Sequence, residues 1–214
     1  TISEGQRILV DLLEESAHTL VRVADMLKYK YQVRFGGIDF SLAPFPEKSR
    51  SGGAAVEAMG VPRVGLHGSL TAAAILTGAI DQAKFPHTGF CGSFQPVLED
   101  AVLAQRAAEG RLTIKDLLLY SAVCGTGLDT VPLAGDVTAG QISALLLDIC
   151  ALALRLDKPL TARLMPIPGK KAGEETDFDF GYFVNSRVMN LEAAPLGKGL
   201  GGDETFPIMK RTPR

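Results

Sequence analysis

The chain has 214 residues, 46% hydrophobic and 21% charged, a balance that supports a buried core and argues against disorder. Its formal net charge of −2 lacks the basic excess of a nucleic-acid binder. No unbroken apolar run reaches the roughly 18–20 residues of a membrane span, and no signal peptide opens the chain.

This length fits one sizeable domain, taken as residues 1–214. The three cysteines, Cys91, Cys124 and Cys150, are odd in number and widely spaced. That pattern points away from a disulfide scaffold or a zinc ribbon and toward a reducing cytoplasm. His18, His67 and His87 are scattered, so no dedicated zinc site is expected.

In chain order, residues 3–28 predict an amphipathic helix, with Ser3 and Gln6 spaced as a capping box. Residues 34–42 predict a strand that carries the pair Gly36-Gly37 and sets Asp39 and Ser41 on one face. A loop then runs into a short helix over 49–59, followed by a short strand over 61–67. Ser69 is placed to cap a helix over 70–80. Another strand end falls within 88–96, before a helix over 97–110. Glu99 and Asp100 would sit in its first turn and complement the helix dipole, and Gly110 would end it. Thr113 caps the next helix, 114–124.

Residues 124–136 read as a glycine-loosened loop between two apolar helices. The second of these, 139–156, is apolar nearly all round, which implies burial on several sides and places Cys150 in the core. Residues 160–168 predict an alternating strand with Thr161, Arg163 and Met165 on one face, and 180–185 predict a last strand.

Alternating strands and helices over 34–167 point to an α/β fold with a mostly parallel sheet or barrel. Ligands in such sheets gather in the loops after the strands. That rule nominates Asp39, Ser41, His67, Cys91, Arg163 and Lys170, joined by Cys124, Thr126, Asp129 and Asp136 from the 124–136 segment. Asp129 and Asp136 fit an acid/base pair or ligands of a divalent metal; otherwise Asp136 shapes the turn or caps the following helix. Cys124 and Cys91 are candidate nucleophiles, although Cys124 closes a helix, where the dipole opposes a thiolate. Arg163 suits an anion clamp, and Gly169-Lys170-Lys171 an anion contact. No P-loop or G-x-G-x-x-G fingerprint is present, so no nucleotide is expected. An N-terminal threonine such as Thr1 can act as nucleophile and base if processing exposes it.

Five blocks carry a resemblance: R-F-G-G-I-D-F-S-L-A-P (34–44), G-F-C-G-S-F-Q-P-V-L-E-D (89–100), L-L-L-Y-S-A-V-C-G-T-G-L-D-T-V-P-L-A-G-D-V-T (117–138), L-D-K-P-L-T-A-R-L-M-P-I-P-G-K-K-A-G (156–173) and F-D-F-G-Y-F-V-N-S-R-V-M (178–189). Together they resemble the bacterial and archaeal family catalogued as domain of unknown function 711. Its members are longer, so the resemblance implies that this chain matches their C-terminal half. An N-terminal portion would then be absent or carried on a separate chain. The resemblance also implies half or more of a pyruvate formate-lyase-like α/β barrel, with residues 124–136 as the hairpin that enters it. The radical glycine of such enzymes has no counterpart at Arg187-Val188-Met189-Asn190, which implies non-radical chemistry.

Three functions are therefore expected. The first is a non-radical hydrolase or lyase, metal-assisted, acting on a small polar substrate. The second is a catalytically inactive protein that binds a small molecule. The third is a processed N-terminal-threonine hydrolase. The expected partners are a small-molecule ligand, the N-terminal portion and a second copy of the chain, with no nucleic acid and no membrane.

Overall fold

The computed structural model describes residues 1–211. Seven helices are formed among them: α1 (Ile2–Tyr31), α2 (Gly52–Ala58), α3 (Ser69–Gln82), α4 (Ala101–Ala108), α5 (Ile114–Cys124), α6 (Ala139–Leu156) and α7 (Lys198–Gly201). Two strands, β1 (Gly127–Ala134) and β2 (Thr161–Ile167), pair in parallel across the α6 connection. Parallel pairing needs such a crossover, and a helix is its usual form.

Isolated parallel bridges extend this ladder. Ile38 pairs with His87, Leu42 with Ser93, Pro96 with Asp129 and Leu133 with Met189. Mixed helix and strand is thus observed, but no closed barrel forms among the described residues. The expected hairpin at 124–136 is replaced by one helix end and one buried strand. Gly125 ends α5 in the left-handed conformation with φ 86°, and β1 follows at once. The glycines here serve close approach rather than looseness: a Cβ on Gly127 would lie 2.2 Å from the Thr161 carbonyl oxygen.

Other expectations shift for local reasons. Thr1, not Ser3, caps α1, because its hydroxyl accepts from the Glu4 N–H. Residues 61–67 form turns, and Gly65 adopts φ 102° against the Arg111 carbonyl. Residues 34–42 and 180–185 form no continuous strand; the first makes only the bridges at Ile38 and Leu42. Thr113 and Thr138 each build a capping box, with Asp116 and Gln141 respectively, and so fix where α5 and α6 begin.

The main core gathers Val97, Leu103, Leu112, Leu117, Leu128, Val131, Leu133, Leu145 and Ile149 among others, between the helices and β1. A smaller cluster of Leu13, Ile80, Ala83 and Cys91 lies under α1. The expectation for 139–156 is overturned. Only Leu145 and Ile149 of the 18 residues of α6 are buried, and Cys150 is exposed. Packing on one side alone accounts for this. By length and mean hydropathy α6 is also apolar enough to cross a membrane, although Asp148 and Arg155 interrupt it.

Candidate functional site

The centre is an irregularity in β1. The register with β2 shifts between Leu128 and Val131, as in a β-bulge, and Thr130 adopts φ 41°. A β-branched residue rarely takes that conformation, and both bulges and such strain concentrate at functional sites. The segment after Pro96 holds the bulge in place. The Val97 N–H donates to the Asp129 carbonyl at 3.1 Å, and the Leu98 N–H to Thr130 Oγ1 at 3.3 Å.

Asp129 is 2% exposed, and burying an ionised carboxylate demands a partner. That partner is Arg163 on the neighbouring strand, whose Nε donates to Asp129 Oδ1. Arg163 Nη2 reaches Glu99 Oε1 at 2.7 Å, and its Nη1 takes no partner among the described residues. The Arg163 side chain is about half exposed at 52%, so this guanidinium spans a buried carboxylate and solvent. The hydrogen bond to Asp129 foremost pushes the Arg163 pKa up, so the cation is secure. Burial pushes the Glu99 carboxyl up from its ordinary value; Arg163 opposes this and the Asp129 charge adds to it.

Two of the residues singled out in the sequence, Asp129 and Arg163, are thus brought together. Glu99 was assigned instead to a helix first turn, a role that falls to its neighbour. Asp100 is the N-cap of α4, and Glu99 precedes the helix. No local signal in the sequence sets Glu99 apart; the bridge from Pro96 to Asp129 brings its segment beside β1, where Arg163 reaches it.

Asp136 lies elsewhere. It occupies the exposed turn after the far end of β1, beyond the five strand residues, about 17 Å, that follow Asp129. The structure therefore does not bring the two carboxylates together. Thr138, not Asp136, caps α6. Among the described residues no three His, Cys, Asp or Glu side chains gather as metal ligands.

Asp39, Ser41 and Cys91 form a separate cluster. Asp39 accepts from Ser41 Oγ at 2.5 Å and from the N–H groups of Phe90 and Cys91 at 3.0 and 2.9 Å. Burial tends to raise the Asp39 pKa, but these three donors together outweigh it and hold the carboxyl below its ordinary value. The Cys91 thiol donates to the Thr88 carbonyl at 3.1 Å. This is the bonding of a carboxylate that fixes a loop.

Cys124 is 1% exposed and touches Thr126 Oγ1 at 3.5 Å. Thr126 donates in turn to the Ser93 carbonyl. Lys158, which the sequence reading missed, donates to the Ala122 carbonyl in the last turn of α5 at 2.9 Å. Burial lowers its pKa, while Cys124 and Asp81 push the other way. A lysine at a helix C-terminus is a recurring cap, but Lys158 reaches α5 from 36 residues away and no local spacing shows the contact. His67 is exposed in a loop, Lys170 pairs with Asp177 at 3.2 Å, and Thr1 stands exposed with its amine and hydroxyl both turned to Glu4.

Comparison with known proteins adds the kinship. The model of the family described as Uncharacterised ACR (DUF711) matches residues 3–186. A UPF0210 protein of Pyrobaculum aerophilum is 41% identical over 193 residues, covering 86% of this chain and 43% of the relative. One from Oleidesulfovibrio alaskensis is 34% identical over 216 residues, covering 96% and 46%. One from Methanocaldococcus jannaschii is 35% identical over 191 residues, covering 86% and 42%. The chain therefore spans less than half the length of these relatives. With its matching residues running through every element from α1 to the bulge and β2, the chain belongs to the uncharacterised DUF711 family.

Proposed function

We propose that Arg163 and Glu99 form the binding and proton-transfer site of a non-radical enzyme that acts on a small anionic substrate. The observation that carries this reading is the bulge, which seats a buried Asp129 against a half-exposed Arg163. Asp129 positions the guanidinium, and the free Nη1 side of Arg163 is open to a carboxylate or phosphate group. Glu99, with its pKa raised, is suited to give or take a proton beside that anion. The buried and hydrogen-bonded thiols of Cys124 and Cys91 favour structural roles over nucleophilic ones. All three cysteines are unpaired, which fits a reducing, cytoplasmic setting.

Sulfate serves as the test anion because it does not titrate between pH 4 and 8. The measurement is the rise in Tm that sulfate causes, relative to each variant's own Tm. Protonation of Glu99 frees Arg163 Nη2, so the wild-type rise should grow as pH falls through the raised Glu99 value. Arg163→Met should show only the small rise that any protein shows, and Glu99→Gln should keep a large rise that no longer depends on pH. An equal rise in wild type and Arg163→Met would overturn the proposal.

A second reading is a protein that binds without catalysis. It is favoured by the pairing of both carboxylates, Asp129 and Glu99, with the one guanidinium of Arg163. Sulfate binding that Arg163→Met abolishes, with no pH dependence to remove in Glu99→Gln, would support it.

A further inference from the structure

The β1–α6–β2 unit is finished on one flank only. β1 is buried along almost its whole length, with Pro96 and Met189 bridged to it and β2 on its other side. β2 is only partly buried, and among the described residues no strand pairs with its outer edge. A seven-residue parallel strand with one open edge is a template for another strand.

The same asymmetry appears on α6. Ala144, Leu147, Asp148 and Ala151 line a groove of about 1100 Å³ that α6 shares with α5. Leu146, Cys150 and Leu154 recur every fourth residue and so form a stripe along one face. At about 100° per residue, Cys150 lies about 160° around the helix from Asp148, so the stripe begins beside Leu147 at the groove's rim and runs onto the flank away from Asp148. Leu146 and Leu154 are 40% and 50% exposed. In a parallel sheet the next βα unit would lay its strand on the β2 edge and its helix against this flank. Both surfaces are uncovered among the described residues.

The relatives supply the occupant. This chain spans 43% of the Pyrobaculum aerophilum protein and 46% of the Oleidesulfovibrio alaskensis protein, so more than half of each is polypeptide that this chain does not match. We propose that the β2 edge and the Leu146–Cys150–Leu154 stripe are the docking surface for that unmatched polypeptide, which adds a parallel strand to β2 and an apolar helix to α6. A strand on β2 would also border Arg163 and enclose the anion site, but the docking stands without any assignment of function.

Cys150 is a built-in probe, because it is exposed while Cys91 and Cys124 are buried. The 214-residue chain would be expressed alone and together with the unmatched portion of the Pyrobaculum aerophilum relative. Mass in solution and the rate of Cys150 alkylation by iodoacetamide are then measured. That portion is first shown to associate with the matched portion of its own protein, which establishes that it is competent.

The expected result is a one-to-one complex in which Cys150 reacts at least tenfold more slowly than in the chain alone. Leu146→Asp should abolish the complex and leave the circular dichroism of the chain unchanged. A chain that pairs with itself, with Cys150 shielded and the portion refused, would assign the face to a second copy and overturn the proposal. So would a complex in which Cys150 stays reactive, or failure of a competent portion to bind. None of these outcomes depends on sulfate, so they are separable from the fate of the anion site.

Discussion

Asp100 and Asp129 are both buried aspartates, 0% and 2% exposed, and the chain holds them in different ways. Asp100 is surrounded by neutral donors. Ser51 Oγ and the Gly53 N–H reach it from the start of α2, and the N–H groups of Val102 and Leu103 from the start of α4. One carboxylate thereby serves two helix N-termini at once, and every donor is part of the fold. Asp129 is held by a single charged group, which continues out to solvent and to a second carboxylate. The difference teaches what separates a structural carboxylate from a candidate site. In the first the polar capacity closes inside the fold; in the second it is passed outward.

The largest expected effect tests the closed corner. Asp100→Ala leaves four donors facing an apolar gap, removing the cap of α4 and one support of the first turn of α2. A loss of about 3–5 kcal/mol is expected, read as a lower urea midpoint with unchanged slope. Asp100→Asn should lose about half of that, since one oxygen still accepts. A loss under about 1 kcal/mol for Asp100→Ala would erase the contrast drawn here.

The open corner should lose less. Arg163→Met strands a buried carboxylate, but the guanidinium was half solvated, so about 2–3 kcal/mol is expected. Asp129→Asn in the same chain should restore at least about 1 kcal/mol, because the stranded charge is gone. Additive losses in this double-mutant cycle would show that the pair is not coupled.

Much of this architecture was legible in the sequence, and the reasons are local. Thr113 announces α5 because a cap and its return partner lie three residues apart, and the same spacing of Thr138 and Gln141 outweighs Asp136 at α6. Arg163 and Asp129 stood out as charges in apolar stretches. Their contact did not, because it depends on the register between β1 and β2. Glu99 was hidden by Asp100, since adjacent carboxylates at a helix start fit one local explanation and only one of them needed it. The 124–136 segment misled because glycine can mark looseness or close approach, and only the Thr161 backbone beside Gly127 decides between them. Cys150 and the outer face of α6 were misplaced for a related reason: apolar sequence reports what can be buried, not whether this chain supplies the cover.

A charged pair elsewhere, more enclosed than Asp129–Arg163 and less than Asp100, tests the scale. Arg106 donates through Nε and Nη2 to both oxygens of Glu57, at 2.7 and 2.9 Å, with both side chains under a fifth exposed. The hydrogen bond from Arg106 foremost holds Glu57 below its ordinary pKa. The folded state therefore gives up this proton more readily than the unfolded chain. The resulting stability is present in full above the unfolded glutamate value of about 4.3 and is lost as pH falls through the lower folded value. Glu57→Gln should cost about 1–2 kcal/mol at pH 7 and progressively less as pH falls below about 4. A cost that does not change with pH would mean that shape, not charge, carries the contact.

The smallest effect belongs to Asp136, and it decides whether the β1 carboxylates are a pair. Asp136 is exposed in the turn before α6, and Thr138 already caps that helix through Gln141. Asp136→Ala removes no buried contact, so a change within about 0.5 kcal/mol is expected. Its sulfate response should match wild type at every pH, because the rest of β1, about 17 Å of strand, separates it from Asp129. If Asp136→Ala instead weakened sulfate binding as Arg163→Met does, the anion site would have to reach the far end of β1. The bulge could then no longer be its centre.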